Sequence, residues 1–373
     1  MKKEKTDVIV IGGGIIGLAH AVMALRKGFH VILIEEDEMA VGASVRNFGL
    51  IWPIGQPAGP LYERARRSRD LWVEMSKKAG FWALENGSLH LAYEDDEWDV
   101  LEEYHQEYGS STEPLTADGV LDKSPFVRRD GLKGGLFSSA EVNVNPKTAI
   151  YAITKWLNSQ DRCTLKYGEK ALSIDRSIVS TSKAEYEADK ILICGGSDFQ
   201  TLYPGTFASS NLIKSKLQML RTEPQRVGYK LGPTLCGGLT LRHYASFEQC
   251  NSLDALKKRV SSETPEFDDW GIHVMVSQNE LNELIIGDSH EYGQTFDPFD
   301  KKEINDLIID YMNSFLKVDK LLIKETWHGV YAKNPGKTEF VAEPEEGVKI
   351  MTGFGGAGMT FSFGFAEEEI EGW

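Results

Sequence analysis

Hydrophobic and polar positions change period several times along the chain, and each change marks an element. Val8–Ile11 is an unbroken apolar run; Ile15, Leu18, Ala19, Val22 and Leu25 then recur at helical spacing, and a second run, Val31–Ile34, follows. Unbroken runs suit strands buried on both faces of a parallel sheet, and the periodic stretch suits the helix that crosses between them. The pattern therefore predicts a strand over 7–11, a helix over 15–27 and a strand over 30–35. A charged helix is expected over 61–80, its arginines lying on a solvated face rather than forming a binding patch. From Phe81 the texture turns to short alternating runs such as 87–93, separated by acidic helical turns. A helix starts near Pro146, a residue suited to a first helical turn. Strands are expected at 163–175, 189–199, 212–224, 239–247, 270–279 and 283–293. A helix over 301–316, a strand over 321–334 and a glycine-rich tail complete the chain.

No internal repeat or low-complexity linker interrupts this order, and the two textures interleave. The expected architecture is α/β. A Rossmann-like nucleotide-binding domain takes residues 1–80, 140–205 and 325–373, and an α+β substrate domain on a mixed or antiparallel sheet takes 81–139 and 206–324. The first strand runs into Gly12-x-Gly14-x-x-Gly17, and a helix follows. In that setting Gly12 permits the tight turn, Gly14 admits a pyrophosphate and Gly17 lets helix and strand pack closely. The helix N-terminus offers N–H groups to the phosphates. Glu35, ending the second strand, stands where an acid binds a ribose hydroxyl. NAD and FAD both fit this much.

Composition narrows the partners. The chain has 373 residues, 41% of them hydrophobic, enough for a large core in two lobes. A net charge of −15 argues against nucleic acid and against an anionic membrane, although one local basic cluster can still hold a small anion. Cys163, Cys194, Cys236 and Cys250 show no CxxC spacing, so reduced structural thiols and a cytoplasmic location are expected. No metal site is expected. Neither a signal peptide nor an apolar run of about 18 residues, as a membrane span needs, is expected.

The tail separates the two cofactors. A strand, a turn holding Gly353, Gly355, Gly356 and Gly358, and a last helix repeat the opening geometry at the far end of the chain. Two such turns suit one long ligand held at both ends, with the closing helix aiming its positive end at the flavin part. Here the chain resembles the superfamily of D-amino-acid oxidase, glycine oxidase and sarcosine oxidase over essentially its full length. The landmarks are Gly12–Gly17 with Glu35, "GASVRNFGLIWP", "ILICGGSD" and "GFGGAGMTFSFG". The resemblance implies that FAD is touched by Gly12, Gly14, Ile16, Gly17, Glu35, Glu36, Ala43, Ser44, Arg46, Asn47, Phe48, Gly49, Gly195, Gly356, Gly358, Met359 and Thr360. It also implies that Ala171 meets the adenine region through its backbone. "ASVRNFGLIWPIGQP", "LQMLRTEPQ", "LRHYASF", "GDSHEYG" and "WHGVYAKNP" are similar to a branch associated with phosphonate catabolism. Members of that branch oxidise 2-aminoethylphosphonate or its N-methyl relatives to phosphonoacetaldehyde.

Departures from the better-known relatives bear on the substrate. Tyr331 stands where glycine oxidases carry an arginine, Thr360 where sarcosine oxidases carry a lysine, and Gly329 where those attach flavin through a cysteine. The resemblance thus implies non-covalent FAD and no usual carboxylate anchor. Ile285 replaces the lysine associated with oxygen activation, which leaves oxygen or another electron acceptor open. An alternative of the same fold is an oxidase or dehydrogenase for a D-amino acid, glycine or sarcosine.

Flavin oxidation of an amine asks the protein chiefly for orientation and electrostatics, so the anchor for an anionic group is the informative feature. Arginine is favoured for that task. Arg46 serves either the pyrophosphate or the substrate. In an extended strand Arg242 and Tyr244 face one way and His243 the other, although a structural ion pair is an equal reading for Arg242. His328, Tyr331 and Lys333 lie on the strand expected to run toward the flavin, Lys333 reading alternatively as an exposed turn residue. His273, His290 and Trp52 complete the candidates, a lone histidine being more often structural than catalytic. Trp270, Trp327, Phe354 and Phe361 wall the pocket or fill core, and core is the default. Cys194, beside the inner glycines, is expected to be buried.

Overall fold

The computed structural model of the protein describes residues 4–318 and 321–373. The expected opening unit forms as a strand at Glu4–Ile11, a helix at Ile15–Lys27 and a strand at Val31–Ile34. Val8, Ile9 and Val10 are fully buried, as a central strand covered on both faces must be. The opening strand pairs in parallel with Val31–Ile34 on one side and with Glu185–Ile193 on the other. Register brings Ile11 level with Ile34 and with Ile193, and Ile193 level with Ile350. The Gly12 turn, Glu35, Cys194 and the Gly353 turn therefore all emerge at one edge, the carboxyl ends of the strands, where open α/β sheets take their ligands.

Helix Ile15–Lys27 is apolar on nearly every side because the strands of the first sheet and the closing helix, Gly358–Glu371, pack close to it, and the closing helix packs in turn on the helix Pro60–Ala79. Trp72 of the latter is fully buried and donates its indole N–H to the Met359 carbonyl at 2.9 Å. The arginines of that helix are less free than a solvated face implies. Arg64 meets Glu368 at 2.8 Å and Arg67 meets Glu367 at 2.6 Å, so they tie it to the closing helix.

A second, nine-stranded sheet is mostly antiparallel, with a parallel pairing between Thr234–Cys236 and Ser88–Ala92. Its longest pairing joins Ile213–Thr222 to Ile323–Lys333. Residues 325–333 were expected with the nucleotide sheet. Their ladder partners place them in the second sheet, and the chain returns to the first only at Phe340–Glu345 and Val348–Thr352. The strand expected over 239–247 is also absent: Gly238–Arg242 is a 3-10 turn that runs into further turns. The α/β class with a mixed second sheet holds. Among the described residues no helix is long and apolar enough to cross a membrane, and all four cysteines are free and buried.

Candidate active site

A cavity of about 620 Å³ runs from the carboxyl edge of the first sheet to the face of the second. One end is made of backbone. Gly12 sits at φ +111°, and a side chain there would strike the Cys194 carbonyl. Gly17 packs on the Gly12 carbonyl, so it shapes the turn without lining the cavity. The Ser44 hydroxyl accepts the Ile15 N–H at 2.9 Å, capping the helix from a separate loop. Glu35 accepts the Gly13 N–H at 2.5 Å and the Asp37 N–H at 3.0 Å, and burial raises its pKa despite both bonds. It thus braces the turn as well as facing the cavity.

The loop after the second strand is self-supporting. Asn47 donates to the carbonyls of Ala43 and Ser44 at 2.9 and 3.0 Å and accepts the Gly49 N–H at 2.8 Å. Arg46 donates to the His328 carbonyl at 3.3 Å, joining this loop to the second sheet. Ala43, Ser44, Arg46, Asn47 and Phe48 line the cavity, as do Gly14, Ile16, Glu36, Ala171 and Gly195. Gly49 does not; it packs against the Val144 carbonyl. In the tail, Gly353 takes φ +76°, and Gly356, Gly358 and Met359 line the cavity at the closing helix's N-terminus. Thr360 is turned away, accepting the Trp52 N–H at 2.9 Å. A side chain placed at Gly195 or Gly196 would meet no protein atom within 4 Å, so the turn opens onto space shaped for a ligand.

The other end is made of side chains. Tyr244, His243, His273, Met275, Asp288 and His290 come from the loops and strands of the second sheet, with Leu217, Met219 and Tyr331 beside them. The Tyr331 hydroxyl lies within van der Waals reach of a side chain placed at Gly356, so this tyrosine spans the seam between sheet and tail turn. Burial pushes the Tyr244 and Tyr331 phenols up, keeping both as hydroxyl donors. The imidazoles of His243 and His273 are held well below the usual histidine range, and that of His290 down to about 4, chiefly by burial. Burial also lifts Asp288 well above the usual carboxylate range.

Several expected residues lie elsewhere. Arg242 is ion-paired with Asp268, and donates to the Ile272 carbonyl at 3.3 Å; it does not line the cavity. The reason is local: a 3-10 turn, unlike a strand, does not alternate faces, so His243 and Tyr244 reach the cavity instead. His328 is drawn to Asp300 at 2.8 Å, off the lining. Lys333 donates to the Tyr292 hydroxyl at 3.3 Å. Trp52 is buried beneath the lining, its ring 6.0 Å from that of Tyr244. Of the aromatic candidates Phe354 lines the cavity, whereas Phe361 is core. Asp288 was not anticipated, although the two-residue spacing of Asp288 and His290 in "GDSHEYG" held a signal for it.

A glycine turn at each end of the chain, opening on one long cavity roofed by a second sheet, defines a flavin-dependent oxidoreductase. The chain belongs to the DAO family of FAD dependent oxidoreductases, whose family model matches residues 7–368. FAD is its cofactor, and the open space at the two glycine turns fits it. Among curated proteins the chain is 24% identical over 207 residues to a glycine oxidase of Geobacillus kaustophilus (strain HTA426), covering 52% of this chain and 55% of that one. It is 21% identical over 256 residues to one of the subunits of an opine oxidase from Rhizobium meliloti, covering 63% and 67%. The match thus takes in little more than half the length of the first of these relatives. Among solved structures, glycine oxidase from G. kaustophilus superposes with a TM-score of 0.79 at 18% identity, covering 99% of this chain and 95% of that one. L-proline dehydrogenase from P. horikoshii gives 0.81 at 20% identity, covering 99% and 93%. At these identities the superpositions speak for the fold.

Proposed function

We propose that the protein oxidises a small amine bearing a phosphonate group, such as 2-aminoethylphosphonate or its N-methyl form, and that hydrolysis of the imine gives phosphonoacetaldehyde. When bound, FAD would supply the redox chemistry, as the acceptor for a hydride from the carbon that bears the nitrogen. The chain's own residues bind, orient and keep water out. Gly12, Gly14, Glu35 and the Ala43–Phe48 loop hold the dinucleotide half, Ala171 the adenine, and Gly356, Gly358 and Met359 the flavin side. Tyr244 and Tyr331 donate hydroxyl hydrogens to the substrate's anionic end.

One observation carries the choice of substrate. The only arginine among the described lining residues is Arg46, which stands on the loop assigned to the cofactor and gives one N–H to the His328 carbonyl, and the second-sheet end of the lining holds none. A planar carboxylate fork is therefore missing, while hydroxyls and imidazoles converge from several directions, which suits the tetrahedral oxygens of a phosphonate. Among the cysteines only Cys194 lines the cavity, beside Gly12 and away from the second sheet, which supports FAD held without a covalent bond. Four free, buried cysteines favour the cytoplasm. The second reading, a glycine, sarcosine or D-amino-acid oxidase, draws on the glycine oxidase likeness. Anaerobic titration with 2-aminoethylphosphonate, its N-methyl form, glycine, sarcosine and D-alanine tests the two. Bleaching of the flavin by the phosphonates first is expected, and bleaching by glycine alone would replace the first reading with the second. Admitting air afterwards reads whether oxygen is the acceptor.

A further inference from the structure

Three imidazoles converge at the second-sheet end of the cavity, and the chain leaves most of their nitrogens unused. His243, His273 and His290 each bring a ring nitrogen within 4.8 Å of the others. His273 is 2% exposed, and neither of its nitrogens has a hydrogen-bond partner. His290 is 5% exposed, and its Nδ1 lies 3.2 Å from the Gly271 carbonyl. A carbonyl only accepts, so the neutral ring carries its proton on Nδ1 and turns the Nε2 lone pair inward. That lone pair lies 4.0 Å from Asp288 Oδ2. Asp288 Oδ1 lies 3.0 Å from His273 Nε2 but without the alignment of a hydrogen bond.

Buried imidazole nitrogens grouped within 4.8 Å, on rings that lie face to face, with the Asp288 carboxyl beside them, make a polar pocket that a cation would satisfy. The neighbouring fixed cations are engaged elsewhere, Arg242 with Asp268 and Lys333 with the Tyr292 hydroxyl and ring. The scaffold is rigid where the ligands attach. His273 N–H donates to the Asp288 carbonyl at 3.2 Å, and Asp288 N–H returns the bond to the His273 carbonyl at 2.8 Å. Neutral imidazoles with one carboxylate are the donor set of zinc-class ions, not of magnesium or calcium. A backbone carbonyl on the outer nitrogen, as at His290, is the usual support for such a ligand.

We propose that His243, His273 and His290, with Asp288 beside them, bind a divalent transition-metal ion of the zinc class, whose open coordination position receives the anionic oxygen of the substrate. The ion supplies the positive charge that the missing arginine would have given. The metal site stands on the chain's own geometry, whereas its role toward substrate rests on the aminophosphonate reading.

The test uses tag-free, full-length holoenzyme. Elemental analysis is expected to find about one ion per chain. After chelator treatment, added Co²⁺ is expected to give a visible band to the red of the flavin, and zinc to bind with a calorimetric signal. His273→Ala and His290→Gln are expected to lose both signals while keeping the flavin-to-protein ratio. Chelated wild-type protein serves as the metal-free form should either variant fold poorly. Holoenzyme with less than about one-tenth of an ion per chain, and no uptake of Zn²⁺, Co²⁺ or Ni²⁺ after chelation, would overturn the site. Methylphosphonate binding is expected to weaken about tenfold or more on stripping the metal. Equal affinity in both forms would overturn the substrate role and leave the metal site standing. Bleaching by no phosphonate, with metal still bound, would sink the functional reading alone.

Discussion

The two ends of the cavity are built by different means. The dinucleotide end is backbone: glycine turns, helix N-termini and strand ends held level by parallel register. The end proposed for the substrate is side chains drawn from separate stretches of the second sheet, Leu217 and Met219, His243 and Tyr244, His273 and Met275, Asp288 and His290, and Tyr331. A backbone site is exacting about glycine and tolerant of its other neighbours. A side-chain site can be re-specified by one substitution while the cofactor stays bound, which is how one fold carries many substrates.

The sharpest way to break this contrast is Gly14→Val. Gly14 has φ −72°, an ordinary value, and only the small Ser44 hydroxyl lies within reach of a new Cβ, so the chain should fold. FAD affinity should nevertheless fall by about 100-fold, the value of roughly two hydrogen bonds to a charged group. Calorimetric titration of FAD into deflavinated protein, beside a thermal melt, reads both. At the other end, Tyr331→Phe should lower kcat/KM by about 10- to 100-fold with unchanged flavin content, the loss of one hydroxyl bond to an anion. An unaltered specificity constant would remove the strand Ile323–Lys333 from substrate contact.

Buried neutral histidine is a property of the second sheet beyond the cavity, and pH exposes it. His90 is 1% exposed, with neither ring nitrogen partnered, and burial lowers its pKa to about 3. As pH falls below the ordinary histidine value of about 6.5, the unfolded chain binds the proton and the folded chain does not, so stability falls. In His90→Phe the stability lost between pH 6.5 and 4 should shrink, by up to about tenfold in the folding equilibrium constant per pH unit. Urea melts across that range read the slope, with His20, held down to about 4 by burial, and the cavity histidines His243, His273 and His290 supplying the remainder. The smallest effect on catalysis is expected from Arg242→Ala. Loss of the Asp268 pair should cost about 1–2 kcal/mol of stability, while kcat/KM stays within about threefold. A larger fall in kcat/KM would return Arg242 to the substrate site.

The dinucleotide end could be read in advance because its rules are local. Gly12, Gly14 and Gly17 declare themselves by spacing, and Glu35 by its place at the end of a run. Ile15–Lys27, Val31–Ile34 and Pro60–Ala79 appear where their periodicity put them. The substrate end could be read only in pieces. Tyr244, Tyr331 and His273 were named singly, yet Arg242 was offered to the pocket on the premise of an extended strand, with the structural ion pair that it forms as the equal reading. Gly238–Arg242 winds as a 3-10 turn instead, which sends Arg242 to Asp268 and His243 to the cavity.

The amino-acid sequence by itself determined the nucleotide turn, because that depends on glycines and apolar periods that neighbours in the chain enforce, and its quoted landmarks carried the resemblance that pointed to the family and to FAD. Tertiary structure alone decided which side chains share the second pocket. His243, His273, Asp288 and His290 converge because cross-strand pairing and one tight turn bring distant segments together, and spacing along a chain carries no record of those distances.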